Sequence, residues 1–145
     1  MKNKKNIIII SAIFILIISF AIVFSNTKNN INNFVLNNQD ELLSISNTCL
    51  NGGVIEEKFK KAKLDGVFYG ENDIVQFTYS STGLAPSSKY YGFYYSENNT
   101  PVAFQNADIA LTEISDDNWE WTDGTDNGGI TTKIEENWFY YEAWF

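Results

Sequence analysis

The sequence predicts a mainly β, α+β protein set behind a membrane helix: an N-terminal transmembrane helix, a linker, one short helix, then an antiparallel meander of about eight strands forming a sandwich or barrel-like sheet. Three observations predict it. Ile7 to Phe24 is a long apolar run, the apolar period changes from 3.6 to 2 after Asp65-Gly66, and turn residues then recur between short aromatic and β-branched runs.

Ile7 to Phe24 (IIIISAIFILIISFAIVF) runs for eighteen residues without a charge, a Pro or a Gly. A hydrocarbon core of roughly 30 Å needs about 20 apolar residues at 1.5 Å each, so the run is just long enough to span a bilayer. Lys2, Lys4 and Lys5 precede it with no acidic residue, which holds that flank in the cytoplasm and sends everything after Phe24 outside. Cleavage of a secretory signal near Ser25, after Val23-Phe24, is the alternative; the length and continuity of the run favour an anchor. The lipid bilayer is thus the first expected partner, contacted by residues 7–24. Cys49 lies too far downstream for lipoprotein attachment.

Residues 26–38 are Asn-rich without a sustained period and read as a linker, with Phe34, Val35 and Leu36 docking locally. Residues 39–145 then form the extracytoplasmic domain, one core of ordinary domain size. Asn38 with Glu41 three residues on resembles a capping box, and Leu42, Leu43, Ile45, Cys49 and Leu50 supply an apolar face, so a helix is predicted over about 39–50. Val54 to Leu64 fits either a second short helix or an edge strand. Its Lys58, Lys60, Lys61 and Lys63 read as a solvated face beside Glu56 and Glu57.

Four hairpins follow. Val67–Tyr69 pairs with Ile74–Tyr79 across Gly70-Glu71-Asn72-Asp73, and Ser80–Ser88 is a loop. Lys89–Tyr95 pairs with Pro101–Gln105, where Pro101 is confined to a strand start or an edge. Asp108–Ile114 pairs with Trp119–Thr122 across Ser115-Asp116-Asp117-Asn118, and Ile130–Ile134 with Trp138–Phe145 across Glu135-Glu136-Asn137. Two of these strands carry aromatic rings on both faces, where a half-exposed strand would alternate with polar residues. Either a second layer such as the N-terminal helix covers the outer face, or one aromatic face is displayed. A small domain without disulfides needs much buried area from each residue, which favours core.

At Gly83–Ser88 (GLAPSS), Tyr91–Tyr95 (YGFYY), Pro101–Gln105 (PVAFQ) and Asn137–Phe145 (NWFYYEAWF), the chain resembles uncharacterised small exported or membrane-anchored β-domain proteins of Gram-positive bacteria. The resemblance covers about residues 65–145. It implies that the aromatic hairpins are one family domain and transfers no catalytic or binding residue.

Composition narrows the chemistry. Beyond Ser25 the chain carries seven Lys, no Arg and all eighteen acidic residues, a net charge of −11. Nucleic acid is therefore not an expected partner, because phosphate contacts need clustered Lys or Arg. A single Cys allows no intrachain disulfide, and Cys49 on an apolar helix face reads as a buried, inert thiol. The absence of His excludes Ser-His-Asp and Cys-His catalysis, His-ligated zinc and imidazole pH switching.

The chain is accordingly expected to act without catalysis, as an envelope recognition or accessory module binding a protein, peptide or wall glycan. Trp119, Trp121, Trp138, Trp144 and Tyr91 are the expected ligand contacts, through ring stacking and strand-edge pairing. No cofactor is expected. The acidic stretch Asp116, Asp117, Glu120, Asp123 and Asp126 offers hard oxygens in Gly-permitted turns, with Asp123 and Asp126 the candidate calcium ligands, although the spacing lacks the closing Glu of an EF-hand and suits plain turn chemistry. Two alternatives are a small carboxylate-dependent hydrolase built on this stretch and a membrane-anchored immunity or stress protein.

Overall fold

A computed structural model of the chain describes residues 27–53, 66–70, 73–84 and 87–145. Ile7 to Phe24, the expected span, lies outside the described residues, as do Val54 to Leu64. Among the described residues no helix is long and apolar enough to cross a membrane. The chain divides into two compact units, Met1–Asn30 and Ile31–Phe145. Of the first, residues 27–30 are described and are helical.

The second unit begins with helix α1, residues 31–37, followed by α2, Gln39–Leu50. The expected linker is thus helical over residues 27–37: in the second unit's part of it, Ile31 and Val35, one turn apart, are fully buried. In α2, Leu42, Ile45, Ser46 and Cys49 are buried, the i, i+3, i+4, i+7 stripe of a helix lying on a core, whereas Leu43 faces outward. The expected capping box does not form. Asn38 ends α1 as well as starting α2, and its side-chain Nδ2 donates to the Phe34 carbonyl at 2.7 Å, so it serves an orphan acceptor behind it rather than an orphan donor ahead. Asp40 and Glu41 still sit in the first turn, where the helix dipole favours negative charge.

Seven strands follow: β1 (Gly66–Gly70), β2 (Ile74–Leu84), β3 (Ser87–Ser96), β4 (Thr112–Ser115), β5 (Asn118–Thr122), β6 (Gly128–Glu135) and β7 (Trp138–Trp144). All neighbours are antiparallel in one sheet of order β1-β2-β3-β7-β6-β5-β4. Three of the four expected hairpins form. The other differs in two ways. Ser80–Ser88 is not a loop: β2 runs on to Leu84, β3 starts at Ser87, and the polar residues between pair in register as an exposed arm. Pro101–Gln105 is not a strand. It is irregular and ends in a 3-10 turn, Phe104–Asn106, with Gln105 at φ 54, while β3 pairs with β7 instead. The sheet is therefore two meanders joined through β3 and β7, with seven strands among the described residues where about eight were expected.

The register defines two faces. On one, Gln76, Tyr94 and Phe139 share a row, and Tyr141, Thr131 and Trp119 share the next. The segment crossing from β3 to β4 seals this face: Val102, Ala103, Phe104, Ile109 and Leu111 pack with Ile74, Tyr94, Trp121, Phe139, Tyr141 and Ala143. We call it the crossover face. The other, the helix face, carries Phe77, Phe93, Tyr95 and Trp138, with Phe77 and Phe93 stacked at 4.8 Å and Phe34 of α1 reaching Phe93 at 5.9 Å. Both aromatic sets are therefore covered, and α2 lies against β2. A full aromatic core on each side of one sheet replaces the expected alternation.

Candidate functional site

The helix face is apolar under α1 and polar at its other end. There a row crosses five strands in register: Thr82, Lys89, Trp144, Gly128 and Thr122. At ~4.8 Å per strand it is about 19 Å long. The next row holds Tyr91, Glu142, Ile130 and Glu120. Lys89 joins the rows: its Nζ donates to Glu142 Oε1 at 3.3 Å and stands 5.8 Å from the centre of the Trp144 ring. A glycine at 128 is what lets the indole lie flat across β6, since a Cβ there would come within 2.9 Å of Trp144 Cζ2 and of the Trp121 carbonyl.

An open cleft of about 550 Å³ occupies this end of the sheet, lined by Thr82, Gly83, Ser87, Ser88, Lys89, Asp126, Trp144 and Phe145. It combines a half-buried indole, an exposed ring edge at Phe145, three hydroxyls and one charge of each sign. The β2–β3 arm forms one wall, and a reciprocal backbone pair between Ser88 and Phe145, 2.9 Å each way, fixes the floor.

Electrostatics make the centre of the helix face a place for neutral tyrosines. Burial, reinforced by the Glu142 carboxylate, pushes the Tyr91 hydroxyl up to about 12. Tyr140 is pushed up further by burial and then by Glu142. Both phenols stay protonated at any physiological pH and act as hydrogen-bonding groups rather than bases.

The five expected ligand contacts are dispersed. Trp121, 4 % exposed, lies in the crossover core, where its Nε1 would be 2.4 Å from a Cβ added at Gly129. Trp119 is half-buried beside it, 6.2 Å from Phe139. Trp138, also 4 % exposed, is wedged between Phe77, Phe93 and Tyr95 on the helix face. Tyr91 is buried next to Glu142. Trp144 alone of the four tryptophans lines the cleft, and Asp126 joins it there. Strand-edge pairing is closed to these residues, because β5 and β7 are interior strands. Sequence reading missed Lys89, Glu142 and the Ser87-Ser88 wall, which become neighbours of Trp144 only through the pairing of β3 with β7.

Asp123 spends its carboxylate on its own turn. It accepts from the Thr125 backbone N–H at 2.9 Å, Thr125 Oγ1 at 2.6 Å and Asn127 Nδ2 at 2.8 Å, and these bonds hold its pKa below the ordinary carboxylate value. Asp116 and Asp117 sit in the β4–β5 turn, at the far end of five-residue β5 from Asp123 and Asp126, about 17 Å away at ~3.3 Å per residue. Among the described residues no three His, Cys, Asp or Glu side chains gather closely enough to hold a metal ion. Cys49 is buried, and burial raises its thiol pKa, which suppresses the thiolate.

No protein-family model, curated protein or solved structure matches this chain.

Proposed function

We propose that the chain is a non-enzymatic recognition module of the cell envelope, held at the membrane by residues 7–24 with Ile7 and Phe24 near the two boundaries, and that its ligand is a wall glycan bound in the cleft at the polar end of the helix face. The observation that carries this reading is the row Thr82–Lys89–Trp144–Gly128–Thr122, a flat indole set among hydroxyl and ionic groups along a strip about 19 Å long. A pyranose presents an apolar C–H face to an indole and hydroxyls at its rim to side chains of this kind, so the strip suits several linked sugars better than a single small molecule. The groups in and beneath the site suit binding rather than reaction: the buried Tyr91 and Tyr140 stay protonated, Glu142 is paired with the lining Lys89, and of the acidic turns at the two ends of β5 the cleft takes in only Asp126.

Titration of the full-length chain in detergent with soluble peptidoglycan and chitin oligosaccharides, followed by tryptophan fluorescence, tests it. Trp144→Ala should weaken binding about tenfold or more, the loss typical of a central anchor, with the melting midpoint little changed. Undiminished affinity in that variant, or no response to any oligosaccharide, overturns the glycan reading.

A further inference from the structure

The sheet ends at β4, and that edge differs from the rest of the molecule in two independent ways. Every β4 residue is exposed, with Ile114 at 53 %, and among the described residues its outer edge has no neighbouring strand. An open edge offers unpaired N–H and C=O groups to another strand. The charge around it is of one sign. Between Lys89 and Lys133 the sequence has eight acidic residues and no basic one, and Asp108, Glu113, Asp116, Asp117 and Glu120 are all exposed at or beside this edge. Glu113 is in register with Trp119 on the crossover face, and Glu120 with Thr112 on the helix face, so carboxylates flank the edge on both sides of the sheet.

We infer that β4 receives an extended, lysine-bearing segment of a partner protein as an eighth strand. Backbone pairing supplies the attachment. Ile114, lifted outward by the register shift between Glu113 and Ser115, offers an apolar contact, and Glu113 and Glu120 meet lysines projecting from either face of the added strand. A second copy of this chain is a poor occupant, since pairing β4 with itself brings two acidic edges together. The surface is the outer edge of β4, and none of its residues lines the glycan cleft, whose lining comes from β2, β3, the β5–β6 turn and the end of β7.

The test uses the full-length chain in detergent and three fluorescent peptides: alternating Lys and Val, the same with Glu for Lys, and the Lys peptide N-methylated on alternate backbone nitrogens. The Lys peptide should bind, weaken with added salt, and slow amide exchange at Thr112–Ser115; the Glu and N-methylated peptides should each bind at least about tenfold more weakly. Glu113→Lys, an exposed change, should weaken the Lys peptide about tenfold while leaving the circular dichroism spectrum intact. No binding of the Lys peptide, equal binding of the Lys and Glu peptides, full retention after N-methylation, exchange protection elsewhere, or sedimentation as a dimer paired through β4 overturns the inference.

Discussion

The two faces of the sheet are covered by opposite means. Over the helix face lies α1, whose backbone hydrogen bonds are satisfied within the helix, so only side chains need to fit: Phe34 meets Phe93 and Tyr79. Over the crossover face lies a segment with almost no regular structure, whose polar backbone would be costly to bury alone. The sheet supplies its partners. Tyr94 Oη accepts from the Val102 N–H at 2.9 Å, Thr131 Oγ1 donates to the Val102 carbonyl at 3.0 Å, and Gln76 Oε1 accepts from the Gln105 N–H at 2.8 Å. Gln76 and Thr131 are buried polar residues for this reason. An irregular chain can seal a core when the opposing side chains complete its hydrogen bonds.

That contrast can be broken in order of expected effect. Phe139→Ala on the crossover face and Phe93→Ala on the helix face each empty a fully buried ring site and should cost about 3–5 kcal/mol in denaturant unfolding. Equal losses would show the two covers to be similarly tight. Thr131→Val keeps the shape and removes the 3.0 Å bond to the Val102 carbonyl, leaving it the longer 3.4 Å bond from Tyr94 Oη, at a cost of about 1 kcal/mol. Its counterpart on the helices is Ser46, fully buried in α2 with an Oγ that has no hydrogen-bond partner among the described residues. Ser46→Ala should therefore be neutral or stabilising by up to about 1 kcal/mol. A clear loss in Ser46→Ala, or none in Thr131→Val, would remove the distinction.

Alkaline titration sharpens the comparison. Tyr91 on the helix face and Tyr141 on the crossover face are each raised from 10.0 to about 12, chiefly by burial. Between these values the unfolded chain has lost the proton and the folded chain retains it, so stability is level below about pH 10 and falls as pH rises towards 12. Melting midpoints should drop across that window, with the tyrosinate absorbance of Tyr91 and Tyr141 appearing on unfolding. Glu142→Gln, which removes the second cause at Tyr91 but does not act on Tyr141, should bring part of the absorbance in earlier. Smallest of all, Gly128→Ala should displace the Trp144 indole and weaken glycan binding before it affects folding strongly.

What could be read in the sequence was local. The period-2 runs of β2, β3, β5, β6 and β7, the Asp116-Asp117 and Glu136-Asn137 turns and the α2 bounds all depend on neighbours within a few residues, and these formed close to where the pattern placed them, whereas of the expected strand Asp108–Ile114 only the part from Thr112 pairs, as β4. Val102, Ala103 and Phe104 were misread as a strand because buried apolar residues look alike in a strand and in a lid. The β2–β3 arm was misread as a loop because its Ser, Thr and Gly residues are exposed and carry no apolar alternation. Least legible was the cleft, since Lys89 and Trp144 are brought side by side by a pairing between strands remote in the chain.

The central position of β7 also orders events in time. With three strands on either side, the middle strand follows the other six in the chain, and neither meander can close its core until it arrives. Folding must therefore wait for β7. A chain emerging N-terminus first would stay open until residues 138–144 are free to pair, and removing them would take away the centre of the sheet rather than trim its margin.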